Sequence, residues 1–387
     1  MSSGQTRHIV FVTGTRADYG KLKSLIAASD EIPNVEVTIF VTGMHLLDRF
    51  GQTWVEVQNS GVGQLFPFIN QNDEDSMDAI LGKTISGFSD FVKARKPDLI
   101  VVHGDRVEAL ACACVGALNN ILVAHVEGGE LSGTVDGLIR HAITKMSHIH
   151  LASNEEAAST LYQLGEARES VFLIGSPDID VMESEALPNL DEVKAHYGFD
   201  FNEYGILLFH PVTTELDQVS SQADEVADGV LASGLPFIVV LPNNDAGSGD
   251  IVRSYRRFEG APSIRVYPSI RFEAFLTLLR NARVIVGNSS AGIREAPHFG
   301  VPTVNVGSRQ MDRVSSASVI DVAPLSDDIS RGVAEALQAP RTRSRRYGAG
   351  DSAQRFRSLL ESDVIWGTTL QKRFVVALDI DSVTPRM

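Results

Sequence analysis

Residues 99–130 read LIVVHGDRVEALACACVGALNNILVAHVEGGE. Two apolar runs, Leu99-Ile100-Val101-Val102 and Ile121-Leu122-Val123-Ala124, flank an alanine-rich helical segment at about 106–118. Runs without polar alternation are what parallel strands buried on both faces look like. The same unit recurs on either side. Toward the N-terminus, Ile9-Val10-Phe11-Val12 leads through Gly14 into a helix ending near Ser29, then a strand at 35–41 and a polar helix at 73–95. Toward the C-terminus come a helix at about 135–146, a strand at 149–152, a further helix and a short strand at 171–174. Ser153 and Glu156 have the spacing of a capping box for that further helix.

The second half repeats the logic, with strands expected at 206–209, 237–241, 264–266, 284–286, 303–306 and 319–322. Helices are expected at about 215–233, 270–281, 290–299 and 327–338. Alternating strands and helices imply α/β architecture with two doubly wound, Rossmann-like domains. The charged, proline-containing segment 175–204 marks the junction. The expected division is 1–180, 181–360 and a tail, 361–387, packing back on the first domain. Ligands of such sheets bind beyond the carboxyl ends of the strands, so two halves facing a cleft would collect the loops that follow them. Arg341, Arg343, Arg345, Arg346, Arg355 and Arg357 near the end read as a solvated helix face.

At about 150 residues per domain, 387 residues imply two to three domains. Apolar residues at 43% and charged residues at 21% describe a globular chain. With 34 basic against 49 acidic residues and a net charge of −15, the composition argues against a general nucleic-acid binder but not against one bound phosphate group. Cys112 and Cys114 lie in an apolar run and read as small buried hydrophobes in a reduced protein. No apolar run approaches the ~18 residues of a membrane span, and no signal peptide is read, which points to a cytoplasmic protein.

The loops after the strands carry the polar residues. Thr13-Gly14-Thr15-Arg16-Ala17-Asp18-Tyr19-Gly20 has the small residues that let backbone approach a phosphate, with Arg16 in the first helical turn. Glycine-rich strand-to-helix turns are common, so the motif alone is as consistent with plain structure. Asp105 and Glu127 follow two neighbouring strands, and Asp136 opens the next helix. Asp136 and Arg140 share a helix face; alone they read as an exposed ion pair of a few tenths of a kcal/mol. Three carboxylates gathered at strand ends are harder to assign to an ordinary surface. His103, His125, His141, His148 and His150 match no metal-ligand spacing and read as polar strand-end packing. In the second half His210 ends a strand, as a phosphate donor, an acid or a structural group. Gly287-Asn288-Ser289-Ser290-Ala291-Gly292-Ile293-Arg294-Glu295 runs from a strand into a helix start, an anion site of amides and hydroxyls, with Glu295 set to accept ribose hydroxyls. Arg309 and Arg313 add positive charge for a diphosphate.

Taken together, Gly14 to Gly20, His103-Gly104-Asp105-Arg106, HVEGGELSGTVDGLIRHAITKMSHIHL at 125–151 and the stretch 287–313 resemble the UDP-N-acetylglucosamine 2-epimerases. The hydrolysing branch, which supplies sialic and other nonulosonic acid precursors, is the nearer match. The non-hydrolysing branch has Ala-Gly-Leu-Arg where this chain has Gly128-Gly129-Glu130-Leu131. Met311-Asp312 departs from the glycine-containing pattern before Arg313.

The resemblance implies the glycosyltransferase-B fold, with nucleotide held mainly by the second domain, and a homodimer or homotetramer. It implies Asp105, Glu127, Asp136 and His210 as catalytic residues. Arg16, Arg140, Ser289, Ser290, Gly292, Glu295, Arg309 and Arg313 become substrate-binding residues. The implied substrate is a UDP-linked N-acetylhexosamine, with a modified or GDP-linked amino sugar as the alternative. Its C1–O and C2–H bonds are trans and axial, so they can leave together by anti elimination; the glycal then takes a proton on the other face and water at C1, giving N-acetylmannosamine. That chemistry requires no redox cofactor and no metal. Non-hydrolysing epimerisation, glycosyl transfer and nucleotide-sugar sensing are the more distant readings.

Overall fold

The computed structural model describes residues 6–72, 74–132, 135–212, 214–242, 246–310, 316–373 and 375. The chain forms two compact units, one from residues within 1–130, 136–181 and 348 onward, the other from 131–135 and 182–347.

The first unit is built on a sheet of β1 (Arg7–Thr13), β2 (Val35–Val41), β3 (Gln64–Pro67), β4 (Leu99–His103), β5 (Leu122–Val126), β6 (Ile149–Ala152) and β7 (Val171–Leu173). The order is β3-β2-β1-β4-β5-β6-β7 and every pairing is parallel. Side chains alternate across the sheet. Ile9 and Phe11 join a core with Leu22, Leu25 and Ile26 of the helix Arg16–Asp30. Val10 and Val12 point the other way, to Phe88 and Phe91 of Met77–Arg95 and Cys112 of Val107–Leu118. Cys112 is therefore the buried hydrophobe expected, while Cys114 is only partly covered. The direction of strand addition reverses between β1 and β4, which puts the crevice of this fold at their carboxyl ends.

A segment beginning at Gly348 completes this unit. Phe356 and Leu360 of the helix Ser352–Glu361 lie in the same core as Phe11, with the Phe11 and Phe356 rings 6.3 Å apart edge to face. Arg357 reaches Glu31 at 2.8 Å, and Arg7 lies 4.8 Å over the Trp366 ring. The expected boundary at 360 is thus corrected to near 348: a helix with one apolar stripe had to be buried somewhere, and the first sheet buries it. Beyond it, the Lys372 ammonium donates to the carbonyls of Thr144, Lys145 and Ser147 at 2.8, 3.4 and 2.7 Å and pairs with buried Glu166 at 2.6 Å. Glu166 also takes Lys145 and His150, both at 2.8 Å.

The second unit holds β8 (Gly205–Leu208), β9 (Phe237–Val240), β10 (Ile264–Tyr267), β11 (Val284–Gly287), β12 (Thr303–Val306) and β13 (Val319–Val322). Their order, β10-β9-β8-β11-β12-β13, is again all parallel and reverses between β8 and β11. Val219, Ala223, Val226 and Val230 of the helix Val219–Ala232 bury against Leu207 and Val239.

Two local expectations are corrected. The helix after β6 is capped by Asn154, whose side chain accepts from Ala157 N at 2.8 Å, because the Ser153 hydroxyl is drawn instead to buried Glu130 at 2.6 Å. The single helix expected at 290–299 is a 3₁₀ turn, Ser290–Gly292, followed by a short helix, Glu295–Phe299. Pro297 has no N–H and its ring opposes the carbonyl four residues back, so a helix can begin just before it but not run through it.

Candidate active site

In the first unit the loop after β1 is shaped by its own side chains. Thr15 caps the following helix, its hydroxyl accepting from Asp18 N at 3.1 Å, while one Asp18 oxygen accepts from Gly14 N at 3.0 Å. The other Asp18 oxygen faces His103 Nδ1 at 2.7 Å. On the far side of the ring, His103 Nε2 lies 3.0 Å from Glu127 Oε2. Both ring nitrogens thus meet carboxylate oxygens, which accept but do not donate, so the ring is an imidazolium. Burial alone would lower its pKa; the Glu127 and Asp18 charges outweigh that and raise it to about 9.

Glu127 follows β5 with a left-handed backbone, φ 62. Its second carboxylate oxygen accepts the Ser176 hydroxyl, and its carbonyl accepts from Arg140 at 2.7 Å. The same buried guanidinium donates to Asp105. Arg140 therefore ties the Asp105 carboxylate, after β4, to the backbone of Glu127, after β5. Gly129 lets the Glu127 loop pass the helix Glu155–Gln163: it holds φ 83, and a Cβ there would stand 2.2 Å from the Ala157 carbonyl oxygen. Asp136, partly exposed, opens the helix Val135–Met146 one turn before Arg140. Arg16, expected to hold an anion, is engaged by Glu56 through Nε at 3.1 Å and a terminal nitrogen at 2.8 Å.

The histidines divide by surroundings. His125 is buried, with Nε2 donating to Gly104 O at 2.8 Å, and burial lowers its pKa to about 3. His148 accepts from Val123 N at 3.1 Å through Nδ1 and donates to Leu370 O at 3.1 Å. These two are strand-end packing groups; His103 is not. Among the described residues no group of three or more His, Cys, Asp or Glu is arranged to hold a metal ion. Asp18 and Glu127 flank His103 rather than converge on a point.

In the second unit three loops are stitched at the reversal point. Gly287 has φ 131, and a Cβ would fall 2.1 Å from the Leu208 oxygen. Asn288 then bridges to His210, accepting from its N at 2.7 Å and donating to its O at 2.8 Å. The Asn288 carbonyl accepts from Arg309 at 3.2 Å and Gln310 at 2.9 Å. His210 is buried, and burial, followed by the Arg309 charge, lowers its pKa to about 3, leaving a neutral ring. The Ser289 hydroxyl accepts from Ala291 N at 3.3 Å, and Ser290 opens the 3₁₀ turn. Gly292 is seated on Thr303, whose hydroxyl donates to its carbonyl at 2.7 Å. Glu295 is buried at the start of the short helix. The structure thus gathers His210, Ser289, Ser290, Gly292, Glu295 and Arg309 along the loops after β8, β11 and β12. Arg313 lies outside the described residues.

Sequence reading gave Asp18, Ser176 and Asn288 no role of their own and took His103 for strand-end packing. Asp18 had a signal, three residues past a capping threonine; Ser176 sat in the segment read as a linker.

Two doubly wound parallel sheets with polar residues at both reversal points define the class, the glycosyltransferase-B fold. The chain belongs to the UDP-N-acetylglucosamine 2-epimerase family, whose model matches residues 27–361. It is 44% identical over 373 residues to the UDP-N-acetylglucosamine 2-epimerase of Neisseria meningitidis serogroup B, covering 95% of this chain and 99% of the relative. It is 36% identical to the UDP-N,N'-diacetylbacillosamine 2-epimerase (hydrolyzing) of Legionella pneumophila, covering 95% and 98%. A crystal structure of a Neisseria meningitidis UDP-GlcNAc 2-epimerase bound to UDP-GlcNAc superposes with a TM-score of 0.79, covering 92% of this chain and 100% of that one; at 16% identity it supports the fold alone. Among the described residues no helix is long and apolar enough to cross a membrane.

Proposed function

We propose that the protein hydrolyses UDP-N-acetylglucosamine with inversion at C2, releasing N-acetylmannosamine and UDP. The C1–O bond breaks with its electron pair going to UDP. A carboxylate takes the C2 proton, and that C–H pair becomes the C1–C2 double bond. The glycal then receives a proton at C2 on the opposite face, water adds its oxygen at C1, and the proton lost by that water restores the balance. The C2 proton is barely acidic, so C1–O cleavage leads and positive charge develops on the ring, which nearby carboxylates stabilise.

Asp105, Glu127 and Asp136 are the proton-handling set, with Arg140 holding the first two. Neutral His210 keeps an N–H for the leaving diphosphate, alongside Ser289, Ser290, the backbone at Gly292, Arg309 and Arg313, while Glu295 takes the ribose hydroxyls. Arg16 joins them if it exchanges Glu56 for phosphate. The observation that carries this reading is the buried Arg140, which ties Glu127's backbone to the Asp105 carboxylate at adjoining strand ends. The family's name supports epimerisation at C2, and the hydrolysing relative of Legionella pneumophila supports the hydrolytic outcome.

The test is incubation with UDP-N-acetylglucosamine in deuterium oxide. The expected product is free N-acetylmannosamine carrying deuterium at C2. A product still linked to UDP overturns hydrolysis, and an unlabelled product overturns elimination. That relative's name also favours a second reading, a modified amino sugar as the preferred substrate; parallel turnover of both sugars, and of a GDP-linked one, decides it. The resemblance further supports a homodimer or homotetramer, which light scattering checks.

A further inference from the structure

We infer that His103 and Asp18 are positioning residues for Glu127: a doubly bonded imidazolium fixes the direction of that carboxylate and keeps it charged. The inference rests on the reading that Glu127 handles a proton of the sugar.

Glu127 is almost wholly buried. A buried carboxylate without compensation takes up a proton and ceases to be a base. The Arg140 guanidinium donates to the Glu127 carbonyl and to Asp105. A cation within hydrogen-bond distance of the carboxylate is His103, at 3.0 Å. A neutral imidazole would donate from one nitrogen only and leave the other lone pair against an oxygen. Asp18, at 2.7 Å, removes that alternative by demanding the second proton. Asp18 is itself fixed by Gly14 N at 3.0 Å, so the turn after β1 aims the ring rather than acting only as a phosphate grip. Ser176 donates to the second Glu127 oxygen, and a carboxylate oxygen carries more than one acceptor site.

The ionisable groups facing this pair from the packed elements are Asp18 on the helix Arg16–Asp30, His125 in β5 and Arg140 on Val135–Met146. His125, its pKa lowered to about 3, is neutral across the working range.

The experiment measures kcat and KM against pH for the full chain with UDP-N-acetylglucosamine, in His103→Gln, Asp18→Asn and Glu127→Gln. His103→Gln is expected to lower kcat about a hundredfold, leave KM within about threefold and move the acid limb of the kcat profile to higher pH, because Glu127 has lost its cation. Asp18→Asn leaves the ring in place and is expected to move the alkaline limb below its wild-type position, since His103 then loses its proton more easily. Loss of activity or thermal stability with both limbs unmoved overturns the inference in favour of a purely structural role. Wild-type kcat in Glu127→Gln overturns the proton-handling reading itself. Inactive Glu127→Gln alongside unmoved limbs in the other two variants overturns only the role of His103 and Asp18.

Discussion

Glu127 is held by several constraints at once: a left-handed backbone, a carbonyl bonded to Arg140, and a carboxylate bonded to His103 and Ser176. A non-glycine residue in that conformation costs about 1–3 kcal/mol and persists where its surroundings over-determine it. Asp136 is the contrasting case. It is partly exposed in a first helical turn, so little of the fold depends on it. Asp136→Asn is expected to change stability by less than about 0.5 kcal/mol and to cut turnover about a hundredfold or more, with UDP binding by calorimetry unchanged. Loss of UDP affinity as well would move Asp136 from proton handling to nucleotide binding.

Among elements, the helix Val135–Met146 carries Asp136 and Arg140 at one end and is tied down at the other. Its terminal carbonyls need donors, and Lys372 supplies them to Thr144, Lys145 and Ser147. Lys372→Met is expected to cost about 1–3 kcal/mol and to speed amide exchange toward the end of this helix, read by hydrogen–deuterium exchange. Gly287→Ala is expected to be harsher, about 3 kcal/mol or more, because φ 131 and the Leu208 oxygen leave no room for a methyl. Urea unfolding measures it.

The central strands were legible because β1, β4 and β5 are buried on both faces and read as apolar runs. β3 was not: it is a four-residue edge strand ending on Pro67, and its Leu65 and Phe66 are only partly buried. Strand-end reasoning put Asp105 and Glu127 just past neighbouring strands, where they lie. It passed over the partners that hold Glu127, because Asp18 and His103 stand 85 residues apart, His103 and Glu127 24, and Ser176 and Glu127 49. Such contacts depend on strand order, which the pattern of runs does not contain.

Across the molecule, buried histidines set opposite pH responses. His45, with a pKa lowered to about 4, and His125 and His210, lowered to about 3, stay neutral in the fold but bind protons near 6.5 when unfolded. Their contribution is intact above 6.5 and is lost as pH falls from there toward 3. His103, raised to about 9, behaves inversely: its contribution is intact below 6.5 and is lost as pH rises through 9. The melting temperature is therefore expected to decline on both sides of neutrality, and His103→Gln to flatten the alkaline side only. A wild-type alkaline slope in that variant would refute the assignment.

The first sheet is covered by chain from both sides of the second unit in sequence, with Phe356 and Leu360 packed beside Phe11. On a ribosome, which delivers residues in order, the leading half must wait with an uncovered apolar face while the whole second unit is made. That interval favours chaperone capture over independent maturation, and shortening the trailing helix would strand nascent chains at the same half-built stage.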